Sequence, residues 1–241
     1  MFKPSILIVL GVALTSALLL SCAGNTTNEN KMQKPTDQST EAVAVSTKAT
    51  MSPELAKATN IKNMQDAFKG ETTASAKYAA YSKKAEEEGY HEIAMLFKAT
   101  SKSENIHAGN HKEVLQESGA EVPSIKPEFK VGTTAENLKD AIAGETYEVN
   151  TMYPEFLTNA NAAGAQLSSV SLNYAYKTEM KHKVFFEKAL AALESKNVKS
   201  LSIVYYVCPT CGNTYDTTPP KRCGISMTSS EKIIKIEALN S

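Results

Sequence analysis

Ser103-Glu104-Asn105-Ile106-His107-Ala108 and Thr178-Glu179-Met180-Lys181-His182-Lys183 are the stretches on which the reading of this chain turns. Each carries Glu-x-x-His, and Glu179 stands 75 positions after Glu104 (179 − 104). Residues three apart share a helix face, so each glutamate converges with its histidine on one point. Upstream of each lies a matched glutamate. Residues 63–72 (NMQDAFKGET) align with residues 137–146 (NLKDAIAGET), which sets Glu71 against Glu145, 74 positions on (145 − 71). Alone, one Glu-x-x-His reads as a solvated helix face. Here it occurs twice at matched positions, and Phe97, Thr100 and Ala108 share the face of Glu104. An internal repeat of this kind implies two helical hairpins meeting about a pseudo-twofold axis. Glu71, Glu104, His107, Glu145, Glu179 and His182 then enter one interior volume. Several unpaired glutamates buried together would each cost several kcal/mol, on the order of the penalty for any uncompensated buried charge. Two bound cations remove that objection, and oxygen-rich ligation with two imidazoles suits iron or manganese better than structural zinc.

The flanking sequence supplies the helices. Ser52-Pro53-Glu54 is a helix start: capping serine, proline in the first turn, then an acid. The pattern predicts helices over about 53–88, 90–118, 134–164 and 165–195, punctuated by Gly89, Gly119 and Gly164. Pro154 predicts a kink inside the third. Residues 120–133 (AEVPSIKPEFKVGT) hold two prolines and a glycine and read as a long crossover between hairpins, the ferritin-like arrangement. His91 and His111 read as solvated or partly buried structural histidines outside the site.

Composition is that of an ordinary globular chain, 42% hydrophobic and 22% charged, with 26 basic against 26 acidic residues. There is no basic field for nucleic acid, and Arg222 is the only arginine. The N-terminus reads as a targeting segment: Lys3, an apolar run from Ile6 to Leu20, then Leu19-Leu20-Ser21-Cys22-Ala23. The run is too short for a bilayer-spanning helix of about 20 residues. Its end resembles a bacterial lipobox, with Cys22 as the lipidated residue; the alternative is an ordinary cleaved signal. Residues 1–21 are then a signal peptide and 22–52 a polar tether with almost no large apolar side chains. The expected location is extracytoplasmic, anchored to a bacterial membrane through lipid.

At the other end, Cys208, Cys211 and Cys223 leave an odd number for pairing, and Cys208-Pro-Thr-Cys211 has metal-binding spacing. Residues 202–208 read as a strand running into that pair, and 232–236 as a closing strand. In the repeat, Glu148 stands where the first half has Ala74, three residues beyond Glu145 and on its face, offering a seventh ligand.

At this point residues 55–241 resemble the rubrerythrin family. Gly70-Glu71-Thr72, Gly144-Glu145-Thr146-Tyr147-Glu148 and Met152-Tyr153-Pro154-Glu155-Phe156 carry the resemblance. It implies a mainly α fold: a ferritin-like four-helix bundle (53–198) with a small C-terminal β-rich, rubredoxin-like domain (199–241). It implies two iron ions in the bundle, with Glu148 and His107 exchanging as ligands to one of them, and Tyr78 and Tyr153 hydrogen-bonded to carboxylate ligands. It also implies one further iron at two Cys-x-x-Cys pairs, close to the di-iron site of a partner subunit in a homodimer. The second pair departs from the family: Ser226 stands where the fourth thiolate belongs. Serine is a poor ligand until deprotonated, so iron with three sulfurs and an oxygen, zinc with water, or no metal at all stay open, as does a Cys208–Cys211 disulfide.

The expected activity is that of a peroxidase reducing hydrogen peroxide to water at the di-iron site, in defence against oxidative stress. Electrons would return from an unknown donor through the C-terminal site. The alternatives are an iron-binding or iron-sequestering lipoprotein with ferroxidase activity, favoured by Ser226, and a peroxide sensor.

Overall fold

The computed structural model describes residues 52–239; the expected signal peptide, Cys22 and nearly all of the expected tether lie outside them. Helix α1 runs Pro53–Glu87, and the Ser52 hydroxyl accepts from the Leu55 backbone N–H at 3.2 Å as its N-cap. It stops where Gly89 enters the left-handed region at φ +83°, a conformation costly for any residue with a Cβ. Helix α2 (His91–Glu117) folds back along it. Residues 120–133 then run without helix or strand, and their contacts trace the route. Gln65 donates to the Glu121 carbonyl, Tyr81 to that of Lys130, and the Thr134 N–H reaches Glu88. The crossover therefore climbs the length of α1, so the second hairpin starts at the end where the first turned. Helix α3 (Thr134–Tyr147) begins with a reciprocal capping box between Thr133 and Glu136.

The third bundle helix differs from the expected single kinked rod. Glu148–Met152 is a π-helical segment, closed by the Tyr153 N–H reaching the Glu148 carbonyl, and α4 (Tyr153–Ala162) resumes after it. Pro154 is the local cause. It has no N–H to give Asn150 four residues back, and its ring crowds that carbonyl, so the backbone widens by one residue just upstream. Helix α5 (Gln166–Glu194) completes the bundle.

The C-terminal residues form a three-stranded antiparallel sheet in the order β2 (Thr214–Tyr215), β1 (Tyr205–Val207), β3 (Ile234–Ile236). The two predicted strands are shorter than expected, and β2 was not predicted. The described residues belong to one compact unit. Its main apolar cluster joins Tyr78, Phe97, Leu138 and Phe186 of the bundle to Tyr205, Val207 and Ile236 of the sheet, so the sheet docks directly on the helices. A second cluster, with Met64, Leu115, Tyr153 and Leu172, fills the opposite end. Among the described residues no helix is long and apolar enough to cross a membrane.

Candidate metal centre

Between the two apolar clusters the bundle buries charge. Glu71, Glu104, Glu145, Glu179, His107 and His182 are each at most 2% exposed. They fall into two groups whose ligating atoms lie within 4.8 Å of one another: Glu71, Glu104, His107 and Glu179, and Glu104, Glu145, Glu179 and His182. Glu104 and Glu179 belong to both. Glu148 is partly buried and stands outside both groups, although its charge is felt by Tyr78 and Tyr153.

Hydrogen bonding decides whether these residues suit cations. The His107 Nε2 lies 3.1 Å from the Cys211 carbonyl, which can only accept, so Nε2 carries the proton. The His182 Nε2 lies 2.9 Å from the Thr214 hydroxyl, whose own proton goes to the Gly212 carbonyl; Nε2 donates here too. In a neutral imidazole the Nδ1 atoms are then bare lone pairs. Yet His107 Nδ1 sits 2.8 Å from Glu179 and 3.0 Å from Glu104, and His182 Nδ1 sits 2.6 Å from Glu179 and 3.0 Å from Glu104. Lone pairs so close to carboxylate oxygens repel unless a proton or a metal cation lies between them. These Nδ1 atoms and the facing oxygens of Glu71, Glu104, Glu145 and Glu179 also lack any hydrogen-bond partner. The donor set fits a pair of metal ions.

The electrostatics follow the geometry. Burial pushes Glu71 up to about 7, against the pull of His107. Burial, then the neighbouring carboxylates, hold Glu145 and Glu148 well above the usual carboxylate range. Burial opposes charge on His107 and His182, but the surrounding glutamates outweigh it and raise both.

Two tyrosines brace the cluster. Tyr78 donates to Glu145 Oε1 at 2.6 Å, and Tyr153 donates to Glu71 Oε1. Tyr78 is itself held by edge and tilted contacts with Phe97 and Phe186. One reading is corrected. His111 is neither solvated nor partly buried: it is fully enclosed, with Nδ1 2.7 Å from the Ser171 hydroxyl and Nε2 3.4 Å from the Tyr153 hydroxyl. Its place one turn beyond His107, on the inward face of α2, was the signal for this. His91 is half-exposed and pairs with Glu86.

The structure brings the three cysteines together. Cys208, Cys211 and Cys223 are free and fully buried, and their sulfurs lie within 4.8 Å of one another. Ser226 joins them, its hydroxyl 3.3 Å from Cys208 Sγ. The Cys211 thiol, then the Ser226 hydroxyl, bring Cys208 down to about 4 despite burial, so a thiolate faces the serine.

The cysteines sit against the carboxylate cluster of their own chain. The short connection after α5, with a 3₁₀ turn at Val198–Ser200, folds the sheet back onto α2 and α5. Ser103 donates to the Gly212 carbonyl at 2.7 Å, Asn110 to that of Thr210 at 2.9 Å, and Lys181 to Asn213 at 2.7 Å. None of these contacts was legible as a motif.

The family model described as Rubrerythrin matches residues 62–190. Rubrerythrin-2 of Clostridium acetobutylicum is 33% identical over 70% of this chain and 92% of its own length. Nigerythrin of Nitratidesulfovibrio vulgaris is 32% identical over 68% of this chain and 80% of its own. The solved structure of fully reduced, all-ferrous nigerythrin superposes with a TM-score of 0.65 at 28% identity, covering 73% of this chain and 86% of that one. With its paired Glu-x-x-His helices, its braced carboxylates and its docked cysteine sheet, the chain belongs to the rubrerythrin family.

Proposed function

We propose that the chain is a di-iron peroxidase that reduces hydrogen peroxide to water. Bound iron would supply the two electrons and polarise the O–O bond. One ion would be held by Glu71, Glu104, His107 and Glu179, the other by Glu104, Glu145, Glu179 and His182, with Glu148 as a further carboxylate for this pair. The protein's part is to keep both Nδ1 lone pairs inward through the outward Nε2 bonds. The observation that carries the reading is the hydrogen bond from His107 to the Cys211 carbonyl, because it joins a sulfur metal site to an inner ligand with no intervening residue. Electrons returned through the cysteines would enter at His107.

The test is to load the protein with ferrous iron without oxygen and mix it with peroxide or with air-saturated buffer. Site oxidation at least tenfold faster with peroxide is expected; equal rates would end the proposal. Ser226 favours a second reading, iron sequestration with ferroxidase activity. Turnover with a supplied reductant separates the two: a sequestering protein oxidises once and stops, and recovery of turnover in Ser226→Cys would locate the block. Lipidation at Cys22, and with it an extracytoplasmic address, belongs to the same proposal; growth with a labelled fatty acid, comparing wild type with Cys22→Ala, tests it.

A further inference from the structure

Peroxide reduction consumes protons as well as electrons: H2O2 + 2 H⁺ + 2 e⁻ gives 2 H2O. The cluster that would use them lies between two apolar clusters. A line of polar groups leads out of it past the second. A surface groove of about 200 Å³ opens between α2 and α5, with Glu113 and Glu117 on its rim and Ser171 in its lining. Ser171 is buried, and its hydroxyl lies 2.7 Å from His111 Nδ1. His111 Nε2 lies 3.4 Å from the Tyr153 hydroxyl, which donates to Glu71. We infer that Ser171, His111 and Tyr153 form a proton-entry path from this groove to Glu71. The inference rests on the peroxidase reading for its purpose, but not for its geometry.

The donors and acceptors are consistent end to end. Tyr153 spends its proton on Glu71, so its oxygen accepts from the His111 Nε2–H. The bare Nδ1 then accepts from Ser171, which lines the groove. Burial brings His111 down to about 3, which keeps the ring neutral and able to receive at one nitrogen while giving from the other. For each passage, every group in the line gains one proton and loses one, and the net transfer is one proton from groove water to the Glu71 carboxylate. Rotation of the hydroxyls and the ring resets the line. A histidine placed only to fill space needs neither partner.

Two measurements judge the path separately from the peroxidase reading. In zinc-loaded protein, which performs no redox chemistry, nitrogen-15 NMR should show His111 neutral with its proton on Nε2. Exchange of that proton with solvent should slow at least tenfold in Ser171→Ala. Unchanged exchange overturns the path whatever the enzyme does with peroxide. In diferrous protein, His111→Gln retains a donor toward Tyr153 and an acceptor toward Ser171 but cannot exchange tautomers. Peroxide-driven oxidation should fall at least tenfold, with a larger solvent isotope effect and unaltered iron content. A wild-type rate in His111→Gln overturns the relay, since that variant preserves mere positioning. If wild-type diferrous protein reacts no faster with peroxide than with air, the peroxidase reading fails instead, and the exchange measurement still decides the path.

Discussion

Gly212 sits at a tight point between the carboxylate–histidine cluster and the cysteines. A Cβ built on it would stand 2.3 Å from His107 Nε2 and 2.6 Å from the Ser103 hydroxyl, and its φ of +74° lies in the left-handed region. Both neighbours are fully buried and cannot swing away. Gly212→Ala should therefore destabilise the protein by about 2–4 kcal/mol, through overpacking and strained backbone together. The damage should be specific: the sheet lifts from α2, and His107 loses the acceptor that fixes its tautomer. Thermal unfolding together with metal content at both sites checks this; a normal melting temperature with full metal content would refute it. At this scale Glu71, Glu104, His107, Glu145, Glu179, His182 and the cysteines were legible because their side-chain chemistry repeats at helical or knuckle spacing. Gly212, Thr214 and Ser171 were not, because each acts through one contact with a residue distant in sequence.

Among the elements, the π-helical segment Glu148–Met152 matters most for the site. At about 100° per residue, eight α-helical steps from Glu145 to Tyr153 would leave the two side chains about 80° apart. Absorbing one residue in the wide turn brings them within about 20°, so both face the cluster. Glu145 meets Tyr78 there, and Tyr153 meets Glu71. Deleting the exposed Asn150 should return the segment to α-helix and turn Tyr153 out of line. The Glu71 hydrogen bond and the contact with His111 would be lost, while Glu145 and Tyr78 keep their pairing. Tyrosine ultraviolet resonance Raman should lose the signal of one carboxylate-bound tyrosine, the one removed by Tyr153→Phe, and an unchanged spectrum would refute the role of the π turn. The sequence pointed to Pro154 as a disturbance but not to its form. A missing N–H is a local fact, whereas the way the helix accommodates it depends on what must be buried on either side.

Across the whole molecule, the cluster makes stability depend on metal and pH together. Without metal, Glu71, Glu145, Glu148, His107 and His182 all bind protons more tightly when folded than when unfolded. Their contribution is present at low pH and declines as pH rises through the folded values, from about 4.5 toward 7 and above for Glu71. Glu179, lowered by both histidines despite its burial, acts in the opposite sense and is outnumbered. The metal-free protein should melt at least about 3 °C lower at pH 8 than at pH 6. With metal bound the dependence should reverse, because metal and protons compete for the same atoms. Calorimetry at the two pH values, with and without chelator, checks both signs. By itself the sequence determined the four helices, their pairing into repeated hairpins, the six inward carboxylates and imidazoles and the cysteine spacing. Each of these is written in periodicity or spacing, which side-chain chemistry converts into structure locally. Only the tertiary structure decided that the cysteine sheet folds onto its own bundle, that His107 and His182 are oriented by Cys211 and Thr214, and that His111 reaches both Ser171 and Tyr153. Those contacts join positions far apart in the chain, and they form only when packing of the apolar faces brings the elements into register.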